Sequence, residues 1–184
     1  VPNELYQEFM TDIAQEIDRE NKIINDLLTL VKLDKTDGEL NIESVDINAL
    51  LELLMKRLRP IARQQNIEVI LESNRPVQAN VDEVKMTLAL SNLVENAIKH
   101  GLMPLDHGGT VRVSSWETPS HYCVSVADDG VGFDTSILLD ERKHIGLRNI
   151  RERLEAMVGG SLTIESTPGQ GTKVVLRIPK ERAQ

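Results

Sequence analysis

Asn92-Leu-Val-Glu95-Asn96-Ala-Ile-Lys99-His100 is the stretch on which the fold is decided. Residues three and four apart are neighbours on a helical surface, so Asn92, Asn96, Lys99 and His100 share one face of a helix. Leu90, Leu93, Val94 and Ala97 fall on the other. The stretch predicts a helix that packs its apolar side on a sheet and turns two carboxamides, an ammonium and an imidazole towards a cleft. Asp82 is its expected N-cap and Gly101 its expected stop.

Outward from this helix the pattern alternates between strands and helices. Upstream, Asp46 caps a predicted helix through Leu50, Leu51, Leu54 and Leu58, with an expected kink at Pro60. Residues 67–72 and 77–81 then read as strands. Downstream, Val111 and Val113, then Tyr122, Val124 and Val126, mark two alternating strands. The aperiodic run from Gly130 to Ile145 suits a lid or binding loop. A helix over about 146–158 stops at Gly159-Gly160, and a final hairpin carries Leu162 and Ile164, the turn Pro168-Gly-Gln-Gly171, then Val174, Leu176 and Ile178. Strand pairs alternating with single helices predict an α+β fold, a two-layer α/β sandwich whose mixed, mainly antiparallel sheet is covered by three helices.

Before this lies a different pattern. Leu5, Phe9, Ile13, Ile17, Ile24, Leu27, Leu28 and Val31 recur at helical spacing until Asp37-Gly38 breaks the run. We read residues 1–38 as a long helical arm and 39–184 as a globular domain. An amphipathic helix of this length must pair its stripe with another helix.

Composition narrows the function. A net charge of -8 and 3% aromatic residues oppose nucleic-acid binding, which needs basic patches and stacking rings. Cys123 has no second cysteine to pair with, which fits a reducing, cytoplasmic setting. No stretch is long and apolar enough to insert in a membrane, so an anchor, if the full-length protein has one, lies elsewhere.

Three groups of residues suit the three parts of a nucleotide. Asp128, closing an apolar strand and followed by Asp-Gly130-Val-Gly132, offers an acceptor for an adenine amino group, and the glycines allow backbone to approach a ring. The same Asp-x-Gly-x-Gly pattern also occurs in calcium loops and plain turns. Asn96 offers a carboxamide oxygen to Mg²⁺, while Asn92 and Lys99 would reach phosphates. A solvated helix face explains any one of these residues, but two Asn within a helix cost stability and favour a functional role. The start of a helix at Gly146-Leu147 offers free N–H groups to anionic oxygens, with Arg142, Lys143 and Arg148 nearby.

In this order, the segments resemble the catalytic ATP-binding domain of sensor histidine kinases, of the GHKL superfamily with its Bergerat fold. Asn92 to His100 is similar to the N box, Asp128 to Gly132 to the G1 box, Gly146-Leu147 to a reduced G2 box, and Gly169 to Thr172 to the last glycine-threonine element. The likeness runs from about Asp46 to Pro179; the arm, with Asn25-Asp-Leu-Leu before Leu33-Asp34, resembles the second helix of the dimerisation and phosphotransfer hairpin. The resemblance implies ATP and Mg²⁺ as ligands, a response regulator as partner and a homodimer through the hairpin. It carries Asn92, Asn96, Lys99 and His100 over as metal, phosphate and nucleotide contacts, and Asp128 and Thr172 as adenine-side contacts.

Two departures stand out. His144 and Arg148 occupy positions where G2 glycines are frequent, as in subfamilies with short lids. None of the four histidines, His100, His107, His121 and His144, lies on the arm, so the acceptor histidine is expected upstream of Val1, and this chain alone is expected not to phosphorylate itself. Related ATPases activate water with a Glu at the position of Asn92; a carboxamide there cannot accept a proton, leaving Glu95 as the alternative base. The expected activity is therefore transfer of the ATP γ-phosphate to histidine. A Ser/Thr kinase of the anti-sigma-factor type and a nucleotide-gated interaction module are the alternatives.

Overall fold

The computed structural model describes residues 40–73, 75–136 and 145–180, together with Gln7, Met10 and Ile13. The chain divides into two units, Val1–Leu40 and Asn41–Gln184. Of the first, Gln7, Met10 and Ile13 are helical and exposed; the rest of the predicted arm lies outside the described residues.

The second unit begins with a strand that the hydrophobic pattern does not announce. Strand β1 (Ile42–Asp46) pairs antiparallel with β3 (Gln78–Asp82) as a separate two-stranded sheet, Ile42 opposite Asp82. Between them lie helix α1 (Ile47–Arg63) and strand β2 (Ile67–Ser73). The Asp46 carboxylate accepts the Ala49 N–H at 3.0 Å as the N-cap. Ile47, Leu50, Leu51, Leu54, Met55, Leu58 and Ala62 then recur at intervals of one, three or four and are all buried, the stripe that holds α1 against the sheet. Pro60 lies inside the helix, as expected, and the helix runs on past it to Arg63. Pro60 is on the exposed side, where the backbone acceptor that its ring deprives of a donor can turn to water.

Helix α2 (Glu83–Asn96) follows, capped by Asp82, whose Oδ1 accepts the Lys85 N–H at 3.0 Å. The other oxygen of that buried carboxylate takes the Asn41 N–H at 3.2 Å, so one side chain fixes both the helix start and the entry to β1. Gly101 does not end the helix as expected. Ala97–Leu102 continues as a π-helical turn, with the Met103 N–H reaching the Ile98 carbonyl at 2.9 Å.

Strands β4 (Gly109–Glu117) and β5 (His121–Asp128), helix α3 (Ile145–Val158), and strands β6 (Ser161–Ser166) and β7 (Thr172–Pro179) complete the domain. The larger sheet has the order β2-β4-β5-β7-β6; only the β2–β4 pair is parallel. It is the mixed, mainly antiparallel sheet expected, packed against three helices. Val111, Val113, Val124, Val126, Leu176 and Ile178 alternate inwards and are buried in one core with Leu90, Leu93 and Leu154 from the helices. Gly159, at φ +65°, closes α3 by donating its N–H to the Glu155 carbonyl at 2.8 Å. Among the described residues, no helix is long and apolar enough to cross a membrane.

Asp82→Ala removes a cap and leaves a second backbone N–H without its acceptor. We expect a loss of about 1–2 kcal/mol in urea unfolding. An unchanged midpoint would show that the cap is redundant.

Candidate functional site

The π turn at the end of α2 sets the geometry of the site, because it rotates the last residues relative to a regular helix. Leu93, Asn96, Ala97, His100 and Gly101 all border one cavity of about 530 Å³. The opposite wall comes from Asp128, Val131, Gly132, Phe133, Thr172 and Val174. Gly146 and Leu147, in the first turn of α3, close one end. A volume of this size suits a small organic ligand.

Two close approaches draw helix and sheet together. A Cβ on Gly101 would lie 2.7 Å from Asp128 Oδ1, so only glycine lets the carboxylate rest on the helix end. Just beyond, the Val131 N–H donates to the Gly101 carbonyl at 2.9 Å, fastening the segment after β5 to the same turn. Gly130 is backed against that carbonyl and does not border the cavity, whereas Gly132, at φ +58°, does.

Asp128 and Thr172 are cross-strand partners on β5 and β7, which places a carboxylate and a hydroxyl side by side on the cavity wall. Burial pushes the Asp128 carboxyl above its usual range; the N–H groups of Gly130, at 3.0 Å, and of Thr172 oppose this, and the neighbouring Asp129 charge adds to it. At the other end, Asn96 and Gly146 face one another: a Cβ on Gly146 would stand 3.9 Å from Asn96 Nδ2. The carboxamide and the N–H groups at the start of α3 thus share one corner.

Asn96, His100, Asp128, Gly132, Gly146, Leu147 and Thr172 are thereby brought together, while Asn92, Glu95, Lys99 and Gly130 are not on the cavity wall. Lys99 instead pairs with Glu95 at 3.3 Å. Glu95 also accepts the Ser91 hydroxyl at 3.0 Å and lies 3.8 Å from Arg57, which itself donates to Ser91. Arg148 pairs with Glu152 at 3.6 Å, and Arg142, Lys143 and His144 lie outside the described residues. The apolar walls Leu93, Ala97, Val131 and Phe133 escape the sequence reading because each has the residue type of an ordinary core position. Among the described residues, no group of three His, Cys, Asp or Glu could hold a metal.

The pattern of the histidine kinase-, DNA gyrase B- and HSP90-like ATPases matches residues 81–182, which contain every residue of this cavity. The chain belongs to that family. Within this family of ATPases it is of the histidine-kinase type, and the cavity lies in its ATP-binding domain. It is 27% identical to the sensor histidine kinase WalK of Bacillus subtilis over 96% of this chain and 31% of WalK. It is 29% identical to the sensor histidine kinase PdtaS of Mycobacterium tuberculosis over 76% of this chain and 29% of that protein. The chain thus spans about a third of these relatives. The fold is shared with the catalytic domain of the histidine kinase ThkA, at a TM-score of 0.68 and 22% identity over 77% of this chain and 97% of that one. ThkA in complex with the response regulator TrrA gives a TM-score of 0.74 at 21% identity, over all of this chain and 54% of that one.

Because the folded Asp128 carboxyl is raised, the folded domain holds this proton more tightly than the unfolded chain. Its contribution to stability is full below the ordinary value of 3.8 and falls as pH rises through the raised value. Relative to the wild type, Asp128→Asn should therefore gain stability with rising pH across that window, read as the difference in melting temperature. A difference independent of pH would contradict the raised carboxyl.

Proposed function

We propose that this domain binds ATP with Mg²⁺ and transfers the γ-phosphoryl group to a histidine of a two-component sensor kinase. The observation that carries this reading is the division of one cavity into two ends, a carboxylate with a hydroxyl at one and a carboxamide facing a helix start at the other. The first suits an exocyclic amine, the second a metal-bound polyphosphate.

We assign Asp128 and Thr172 to the adenine, with His100, Leu93 and Phe133 as walls beside it. The N–H groups at Gly146 and Leu147 would hold phosphate oxygens with the help of the helix dipole. Asn96 fits Mg²⁺ through its carboxamide oxygen. Among the described residues no cluster of three possible metal ligands such as carboxylates is present, and the ion would arrive with the nucleotide, keeping water and phosphate oxygens as its other ligands. When bound, Mg²⁺ offsets the phosphate charge.

Transfer needs no protein base if the acceptor is a neutral imidazole, which carries its own lone pair. This agrees with Asn92, whose carboxamide cannot take a proton from water. Glu95 faces Arg57 and Lys99, and its role in this scheme is to hold Lys99 near the phosphate end. That ion pair is exposed and weak enough for Lys99 to exchange it for a phosphate. The family resemblance extends the proposal to a cytoplasmic kinase, with residues 1–38 as part of a dimerising hairpin, 39–184 as the catalytic domain and a response regulator receiving the phosphoryl group.

Asn96→Ala is expected to lose Mg²⁺-dependent nucleotide affinity by about 10- to 100-fold in titration calorimetry while the melting curve stays cooperative. Unchanged affinity would remove Asn96 from the metal site. With γ-labelled ATP, the full-length protein should acquire a phosphate that is acid-labile and base-stable. Label with the opposite stability would point to a hydroxyl acceptor, and none at all, despite ATP binding, to a nucleotide-gated module.

A further inference from the structure

Ser166 ends β6 behind the cavity wall, where it does not border the cavity itself. Three groups converge on its hydroxyl. The Phe133 N–H lies 2.8 Å away, the Gly171 carbonyl 3.1 Å, and Thr172 Oγ1 2.8 Å. The Phe133 N–H can only donate, so it takes one lone pair of Ser166. The Gly171 carbonyl can only accept, so it takes the single Ser166 proton. What remains on Ser166 is one lone pair, and the contact with Thr172 is satisfied only if Thr172 is the donor.

That count has a consequence inside the cavity. With its proton committed to Ser166, the Thr172 hydroxyl can offer only lone pairs to a ligand. Thr172 and Asp128 are direct cross-strand partners, and both border the cavity, so the pair forms a double acceptor. An exocyclic amine, with two hydrogens, is matched by it. A carbonyl at the same place would meet two acceptors and no donor.

We infer that Ser166 is a positioning residue that fixes Thr172 as an acceptor and thereby makes this site select a 6-amino purine over a 6-oxo purine. This rests on the assignment of Asp128 and Thr172 to the base. Nothing in the sequence pattern alone reveals it: Ser166 reads as a polar strand end before a turn. The left-handed Gly171, at φ +79°, turns its carbonyl to Ser166 while its own Cα sits where a Cβ would meet the Asp128 carbonyl at 2.0 Å. The Ser166 contacts therefore rest on a rigid backing.

The test compares adenosine diphosphate with inosine diphosphate, which carries a carbonyl at position 6, by calorimetry with Mg²⁺. Ser166→Ala frees the Thr172 proton to turn towards the ligand. The ratio of the two affinities should fall by about three- to tenfold, with the adenine nucleotide weakened and the inosine nucleotide gaining. Ser166→Thr, which keeps the hydroxyl, should restore the ratio. Thr172→Val should lower the adenine affinity and make the ratio insensitive to Ser166→Ala. Equal losses for both nucleotides, or no change in either, would overturn the inference, since a merely structural Ser166 would not discriminate between bases. Asp128→Asn separates the levels. If it alters the ratio and Ser166→Ala does not, only the role of Ser166 falls; if neither does, the base is not read at this wall and the site assignment falls as well. Should Ser166→Ala not fold, Ser166→Cys, whose sulfur is a weak acceptor for the Thr172 proton, should lower the ratio in the same direction, and an unchanged ratio would overturn the inference.

Discussion

Everything in this domain turns on the contact between Gly101 and Asp128. A helix end and a strand end can share so little space only because one of them lacks a side chain and the other ends in a carboxylate with backbone donors to receive it. The hydrogen bond from Val131 to the Gly101 carbonyl then ties down the segment after β5. Remove that seam and the helix row and the sheet wall become separate surfaces.

The seam also explains why the carboxylate is affordable. Desolvation raises the free energy of its ionised form, and two N–H groups of the backbone recover part of that. The remainder is stored as a site that gains by accepting another donor, which is what a base-recognising group requires. At the end proposed for the phosphates the protein does the reverse. It offers a neutral carboxamide and backbone N–H groups, and among the described residues no carboxylate borders the cavity there.

Much of this was legible in the sequence because period carries the fold. The 3.6 spacing of Leu50, Leu51, Leu54 and Leu58 and the alternation of Val111 and Val113 or Val174, Leu176 and Ile178 gave the layers. Strand β1 was not, since only Val45 of its five residues is buried and its place is fixed by pairing with β3 and by the Asn41 N–H donating to the distant Asp82 carboxylate. The end of α2 was misread for another reason. Gly101 looked like a stop, yet its value lies in tertiary approach, and the π turn it sits in shifts the cavity-facing set from 92, 96, 99 and 100 to 93, 96, 97, 100 and 101. Local pattern cannot show a change of helical pitch. Asp128 and Thr172 were individually visible as motif residues, but their being neighbours follows from strand order alone.

The pairing of β5 with β7 acts as a ruler. Asp128 and Thr172 come from distant parts of the chain, and a slip of one residue along the ladder would send one of them through to the opposite side of the sheet. Lengthening the chain is therefore unequal in effect. Extra residues in the exposed turn between β4 and β5 leave that alignment untouched, while a single residue added inside β7 before Val174 would erase it. Variation in loop length among proteins built on this plan should accordingly gather at the rims and spare the strand that holds the hydroxyl.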